Sequence, residues 1–276
     1  ALSSRPLLVM IVGPPRSGTS LLENVLTASK PGHYASLGEA PVLHEAAARA
    51  QAEFGPDYLR GLASDPEALA RHQGGLQEAL AVAAKQAEVV SWSSSTTGYD
   101  EKNTVYLTKW PFDFNHATLA ALLLQDRVRI IHSRRDLRDI SVSVFMENFK
   151  HSEPLLWTFD FQGIREFFRG YLQLMQHLDA ALPPSIFTEV WYEELIHDFD
   201  GTLTRLAAFF GTGWSSADAR RARRFHVLDR EVLMASRDQV RQPLYTKSVG
   251  RWRGIDDVGM VKLFQDLEVL QPACEN

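Results

Sequence analysis

The opening of the chain limits its fold more than any other feature. A continuous apolar run, Leu7 to Val12, breaks at Gly13-Pro14-Pro15 and leads into Arg16-Ser17-Gly18-Thr19-Ser20. An apolar run without alternation, bounded by Pro6 and Gly13, reads as a parallel strand covered on both faces. Leu21, Leu22, Val25 and Leu26 then fall at helical spacing, so a helix is expected from about Gly18. In this order the backbone N–H groups of a helix N-terminus converge on an anion, and the helix dipole adds positive potential. Gly18 lets the backbone approach closely, and Ser17, Thr19 and Ser20 offer hydroxyl donors. Gly13 and Gly18 have the spacing of a Walker A loop, yet Thr19 stands where that loop needs lysine, and Arg16 supplies a cation earlier. The plain alternative is a Ser/Gly-rich helix cap without a ligand.

Further strands are expected at His33 to Leu37, Val105 to Thr108, Val128 to His132 and Ile186 to Val190, with helical patterns between them. That alternation implies an α/β chain: a P-loop-like three-layer fold with a central, mostly parallel sheet flanked by helices. Ala40 to Ala87 reads as helical with interruptions near Gly55–Pro56 and Gly74–Gly75, and Phe159 to Leu182 reads as one long helix. Trp92 to Asp100 reads as a loop. No internal repeat or long linker divides the chain, so one domain over 1–276 is expected, with a helical insert at about 44–104.

The strand Val128 to His132 runs into Ser133-Arg134-Arg135, not into the metal-holding aspartate of a nucleoside triphosphatase. The opening loop therefore suits a 5′-phosphate without an obligatory metal. Arg135 falls at the C-terminal end of its strand, where α/β sheets present ligand groups, and Ser143 lies two turns into the next helix. Together they make a second anion site, since arginine suits bidentate phosphate contact. The alternative is a surface cluster in which Arg134, Arg135 and Arg138 pair with Asp136 and Asp139.

The formal net charge of −5 and pI near 6.0 give no overall field that would draw the chain to nucleic acid or an anionic membrane. Cys274 is the one cysteine, which favours a reducing, cytoplasmic setting. A lumenal catalytic domain whose membrane anchor has been removed is the alternative. The Leu7–Val12 run is too short to span a bilayer, and its closeness to the start is compatible with a fused or partner domain upstream. No HExxH, CxxC or GxSxG pattern occurs.

Taken with Ser36-Leu-Gly-Glu39, Leu107-Thr-Lys109-Trp-Pro, Val190-Trp-Tyr192-Glu-Glu-Leu, Ser236-Arg-Asp-Gln-Val-Arg-Gln-Pro and Ser248-Val-Gly-Arg251-Trp252, these segments resemble the PAPS-dependent sulfotransferases, in that family's order. PAPS is 3′-phosphoadenosine 5′-phosphosulfate. The resemblance is greatest to the branch holding tyrosylprotein sulfotransferases and the bacterial enzymes often fused to tetratricopeptide repeats. It implies a sulfuryl donor, PAPS, with 3′,5′-ADP as product, no required metal, and an acceptor hydroxyl on a carbohydrate, natural product, lipid or peptide tyrosine. It also implies roles: Arg16, Ser17, Gly18, Thr19 and Ser20 on the 5′-phosphosulfate, and Arg135, Ser143 and Arg251 on the 3′-phosphate. Tyr192 would approach the adenine and Ser236 the bridging phosphosulfate. Glu39 matches the proposed general base, and Lys109 the lysine on the transferring group.

Two departures stand out. Lys109 occupies the place of the histidine of cytosolic small-molecule sulfotransferases, which moves the choice of base to Glu39. Glu147 stands where the tyrosylprotein branch has an arginine, one turn after Ser143, which predicts a less basic 3′-phosphate site. A base taking the acceptor proton contributes about 10²–10⁴-fold, and a carboxylate with its pKa raised by burial does so at neutral pH. Plainer roles compete: a helix N-terminal carboxylate for Glu39, a solvated strand end for Lys109 and a core tyrosine for Tyr192. Trp252 reads as packing. For the whole chain the competing readings are a P-loop kinase or NTPase and a nucleotide-binding module without catalysis.

Overall fold

The computed structural model describes residues 7–90, 104–147, 153–227, 244 and 246–271. Ser236, Cys274 and the Trp92–Asp100 loop lie outside them. Five parallel strands form one sheet in the order β2-β3-β1-β4-β5. They are β1 (Leu8–Val12), β2 (Tyr34–Ser36), β3 (Val105–Thr108), β4 (Val128–Arg134) and β5 (Phe187–Trp191). β4 outruns the expected Val128–His132 because Ser133 and Arg134 pair with Val190 and Trp191 of β5.

Alternate residues of the central strand feed two separate cores, as a period of two requires. Leu8, Met10 and Val12 join the core beneath one helical layer. That layer comprises α2 (Val42–Phe54), α3 (Tyr58–Ser64), α4 (Pro66–Val90), α5 (Ala117–Leu124), α6 (Leu137–Phe145) and α7 (Phe161–Ala181). The last helix, α11 (Val258–Leu270), packs on the same side. Val9 and Ile11 face the opposite core, shared with α1 (Thr19–Ser29), α8 (Tyr192–His197), α9 (Phe199–Phe209) and α10 (Ser216–Ala222).

The expected break at Gly74–Gly75 is absent, and α4 runs through it. Leu76 and Leu80 are fully buried in the core, and such packing outweighs roughly 1 kcal/mol per glycine of helix propensity. The break falls instead at Asp65–Pro66, where the Asp65 side chain accepts the Glu67 and Ala68 N–H groups and starts α4. The helical insert is no appendage, because its Leu62, Leu76 and Leu80 share one core with β1.

This topology positions the site. The chain leaves β1 toward the α1 face, whereas it leaves the neighbouring strands β3 and β4 toward the opposite face. Crevices therefore open on both sides of the loop after β1, at the C-terminal edge of the sheet.

Candidate active site

Each strand delivers a sequence-selected residue to that edge: the Arg16 loop after β1, Glu39 after β2, Lys109 after β3, Arg135 after β4 and Tyr192 after β5. The loop after β1 is tightly built. A Cβ on Gly13 would lie 2.6 Å from the Ser133 carbonyl oxygen, and one on Gly18 would lie 2.8 Å from the Tyr192 ring. Gly18 also has φ 103°, a left-handed conformation open to glycine. Arg16 is left-handed too, with φ 75°, a strain that a non-glycine residue adopts at functional loops. The N-cap of α1 is Gly18, which brings no side-chain cap, and the first-turn N–H groups, with the helix dipole behind them, suit an anion.

Arg16 and Ser143 meet, with Nε donating to Oγ at 2.9 Å. Arg135 donates to the Arg16 carbonyl at 2.9 Å and the Ser248 carbonyl at 2.5 Å, and its guanidinium lies 4.6 Å from the Tyr192 ring centre. Of the surface-cluster alternative, only the Arg138–Asp136 pair forms among the described residues. Arg138 pairs with Asp136 at 2.8 Å, and Arg134 turns back to Glu189 at 2.7 Å. Burial opposes the charge on Glu189, but hydrogen bonds from His132 and Arg134 hold its carboxyl down at about 2. Arg135, only 6% exposed, has no carboxylate within ion-pair distance among the described residues. Glu147 lies 3.8 Å from Arg16, so the acidic departure bears on the first loop more directly than on Arg135. Tyr192 is buried as a core tyrosine would be, yet its ring forms a wall shared by Gly18 and Arg135. Arg251 sits in an exposed turn held to α6 by Asp139.

On the other side of the loop, Lys109 Nζ donates to Glu39 Oε1 at 3.1 Å. Lys109 is buried, with 2% of its side chain exposed, so the solvated-strand-end alternative is wrong. Glu39 keeps 40% exposure and is not the buried carboxylate that the chemistry anticipated. It lies on the turn before α2, held because the Gly38 carbonyl accepts from the Lys109 N–H at 3.0 Å.

Asp113 is the buried carboxyl of this region, at 1% exposure, and the sequence reading passed over it. Burial pushes it up to about 7, against a smaller downward pull from the Thr108 hydroxyl, and neither carboxylate oxygen completes a hydrogen bond. Its signal was present: an acid between Phe112 and Phe114, just past Lys109. Burial and the nearby His44 likewise lower His116 to about 4. A series of ring contacts leads away from Lys109 through Trp110, Phe112, Phe114 and Tyr171 to Phe167, which stacks on Trp157 at 3.8 Å.

Residues 6–216 match the sulfotransferase family, and the chain belongs to it. An uncharacterized protein of Aquifex aeolicus (strain VF5) is 26% identical over 253 residues, which cover 91% of this chain and 31% of that protein. The chain thus spans about a third of the curated relative it matches. The sulfotransferase domain of the curacin biosynthetic pathway shares the fold with TM-score 0.62 at 13% identity, over 97% of this chain and 98% of that one. The sulfotransferase domain of the Synechococcus PCC 7002 olefin synthase gives TM-score 0.57 at 17% identity, over 99% and 98%. Mouse SULT7A1, solved with PAP (3′,5′-ADP), gives 0.55 at 15% identity, over 98% and 84%. Among the described residues no helix is long and apolar enough to cross a membrane.

Proposed function

We propose that this chain moves a sulfuryl group from PAPS to an acceptor hydroxyl. Arg16, Ser17, Gly18, Thr19 and Ser20 hold the 5′-phosphosulfate; Arg135, Ser143 and Arg251 hold the 3′-phosphate. Tyr192 flanks the adenine; Ser236, which the resemblance assigns to the bridging phosphosulfate, lies outside the described residues. The observation that carries this reading is Arg135, a buried guanidinium with no carboxylate within ion-pair distance among the described residues, beside the α1 N-terminus that Gly18 leaves without a side-chain cap. Glu193 offsets the charge only from beyond ion-pair distance, and a buried cation without a direct ion pair is costly, so a phosphate supplies the contact this place lacks. Ser17 Oγ and Arg135 Nε are buried with no hydrogen-bond partner among the described residues, so both can donate to phosphate or sulfate oxygens.

PAPS supplies the sulfuryl group, and the residues around it align and neutralise. As the acceptor oxygen bonds to sulfur, the bond from sulfur to the bridging oxygen breaks. Arg16 and Lys109 meet the charge growing on the leaving phosphate, each preorganised contact contributing about 3 kcal/mol. Glu39 takes the acceptor proton. Its pairing with Lys109 supports an exchange: as Lys109 moves onto the donor, Glu39 loses its counter-ion and becomes the better proton acceptor.

Calorimetry with EDTA present tests the donor. 3′,5′-ADP at 100 times its dissociation constant should stabilise the protein by roughly 2.7 kcal/mol, and 5′-AMP should bind far more weakly. Stabilisation by ATP that appears only with magnesium would replace this reading with an NTPase. Bisphosphate binding without sulfate transfer from labelled PAPS to any class of hydroxyl would leave a binding module.

A further inference from the structure

We infer that Asp139 is a positioning residue for the nucleotide site: it fixes the turn carrying Arg251 to the helix carrying Ser143, and so sets the preference for a nucleotide with a 3′-phosphate. The inference rests on the 3′-phosphate placement proposed above. Asp139 and Ser143 stand four residues apart on α6, and hence on one face of the helix. Asp139 is 1% exposed. Its Oδ2 accepts the Gly250 N–H at 2.6 Å and its Oδ1 the Trp252 N–H at 3.1 Å. These two N–H groups straddle Arg251, so one carboxylate spans the residue whose side chain is to meet the phosphate. Charge-assisted bonds of this kind are roughly twice as strong as neutral ones.

Neighbouring residues grip the same turn. Arg135 binds the Ser248 carbonyl, and the Arg138 guanidinium lies 3.8 Å from the centre of a Trp252 ring while Asp136 holds it from the other side. Gly250, with φ 72°, admits the tight turn; a Cβ there would lie 2.5 Å from Arg253 Nη1. The segment after β4 therefore delivers Arg135 and Ser143 directly, and Arg251 through Asp139.

The test compares the dissociation constants of 5′-AMP and 3′,5′-ADP by calorimetry in wild type, Asp139→Ala, Arg251→Ala and the double variant. In Asp139→Ala the preference for the bisphosphate should fall about tenfold, while 5′-AMP affinity moves less than about threefold. Arg251→Ala should cost about the same factor in wild type but less than about twofold in the Asp139→Ala background, because coupled residues are not additive. A stapling role confined to stability would lower the melting temperature and leave these ratios alone. Full preference in folded Asp139→Ala, or an equal Arg251→Ala effect in both backgrounds, overturns the inference. If Asp139→Ala does not fold, Asp139→Asn keeps the volume and one acceptor oxygen. It should show a smaller fall in preference, and an unchanged preference overturns the inference equally. A wild-type protein without bisphosphate preference would refute the donor reading itself, before any variant is made.

Discussion

Replacing Glu39 by Gln separates chemistry from folding, because the surroundings of this residue make the two effects very different in size. The side chain is 40% exposed and engages Lys109 at 3.1 Å. Lys109 is buried, so the pair is only partly screened. A hydrogen bond to a charged group contributes about 1.5–3 kcal/mol against about 0.5–1.5 for a neutral one, and Gln keeps an oxygen that can still accept from Lys109. The stability loss should therefore stay below about 2 kcal/mol, a shift of roughly 4–8 °C in Tm for a chain of this length. Starting from a typical stability of roughly 5–15 kcal/mol, the folded fraction hardly changes. Loss of a general base, in contrast, lowers turnover by about 10²–10⁴-fold, equivalent to roughly 3–5 kcal/mol of activation free energy. Affinity for 3′,5′-ADP should stay within about threefold of wild type, since Glu39 lies on the β2–β3 side of the loop and is assigned no contact with the nucleotide.

The assay is sulfate transfer from labelled PAPS to phenols of graded acidity and to an aliphatic alcohol, in wild type, Glu39→Gln and Lys109→Ala. A more acidic phenol arrives partly deprotonated and should recover Glu39→Gln more than Lys109→Ala, whose defect lies with the leaving phosphate. Near-wild-type turnover of Glu39→Gln with the least acidic acceptor would refute the assignment and return Glu39 to the role of a helix-terminal carboxylate. The buried Asp113 would then be the next carboxyl to test.

Two further outcomes follow from the same geometry. Arg135→Ala should lower 3′,5′-ADP affinity by roughly 10- to 100-fold, the range of one to two charge-assisted hydrogen bonds. It should change 5′-AMP affinity much less, and equal losses for both nucleotides by calorimetry would move the 3′-phosphate elsewhere. Asp113 titrates near 7 in the folded chain and near 3.8 when unfolded, so between these values the unfolded state releases a proton that the native state keeps. The Asp113 contribution to stability should therefore fall as pH rises from about 4 to 7, by up to roughly 4 kcal/mol at 1.36 kcal/mol per pKa unit. His116, lowered to about 4, pulls the other way over much of that window, so the Asp113 slope is read as the difference between wild type and variant. Asp113→Asn should remove that slope and gain Tm over wild type at pH 8 but not at pH 4; identical Tm–pH profiles would contradict the assignment.

The strand, loop and helix start proposed to hold the donor were legible in the sequence because short-range rules specify them. An apolar strand, a glycine that must be left-handed and a helix start within a few residues of one another, and no distant contact can alter that order. Arg135 and Ser143 were legible for a related reason: the helical period places them near one another once the strand before them is recognised. The errors share the opposite cause. Gly74–Gly75 reads locally as a break, yet both glycines face open space on a helix whose other face is fully buried, a fact of packing that no window of sequence contains. Asp139 reads as a partner for the arginines beside it, but takes two N–H groups from a turn 111 and 113 residues away. Asp113 looks like an ordinary turn acid until its burial is known. In each case the side chain's partner comes from another layer of the fold. Residues that position or tune the site through such partners are therefore hidden from motif reading, even where the residues proposed to touch the ligand are not. In a sulfotransferase domain that distinction matters for design: exchanging the visible loop residues should change what binds. Exchanging Asp139 or Asp113 should change how firmly the site is held, and at which pH.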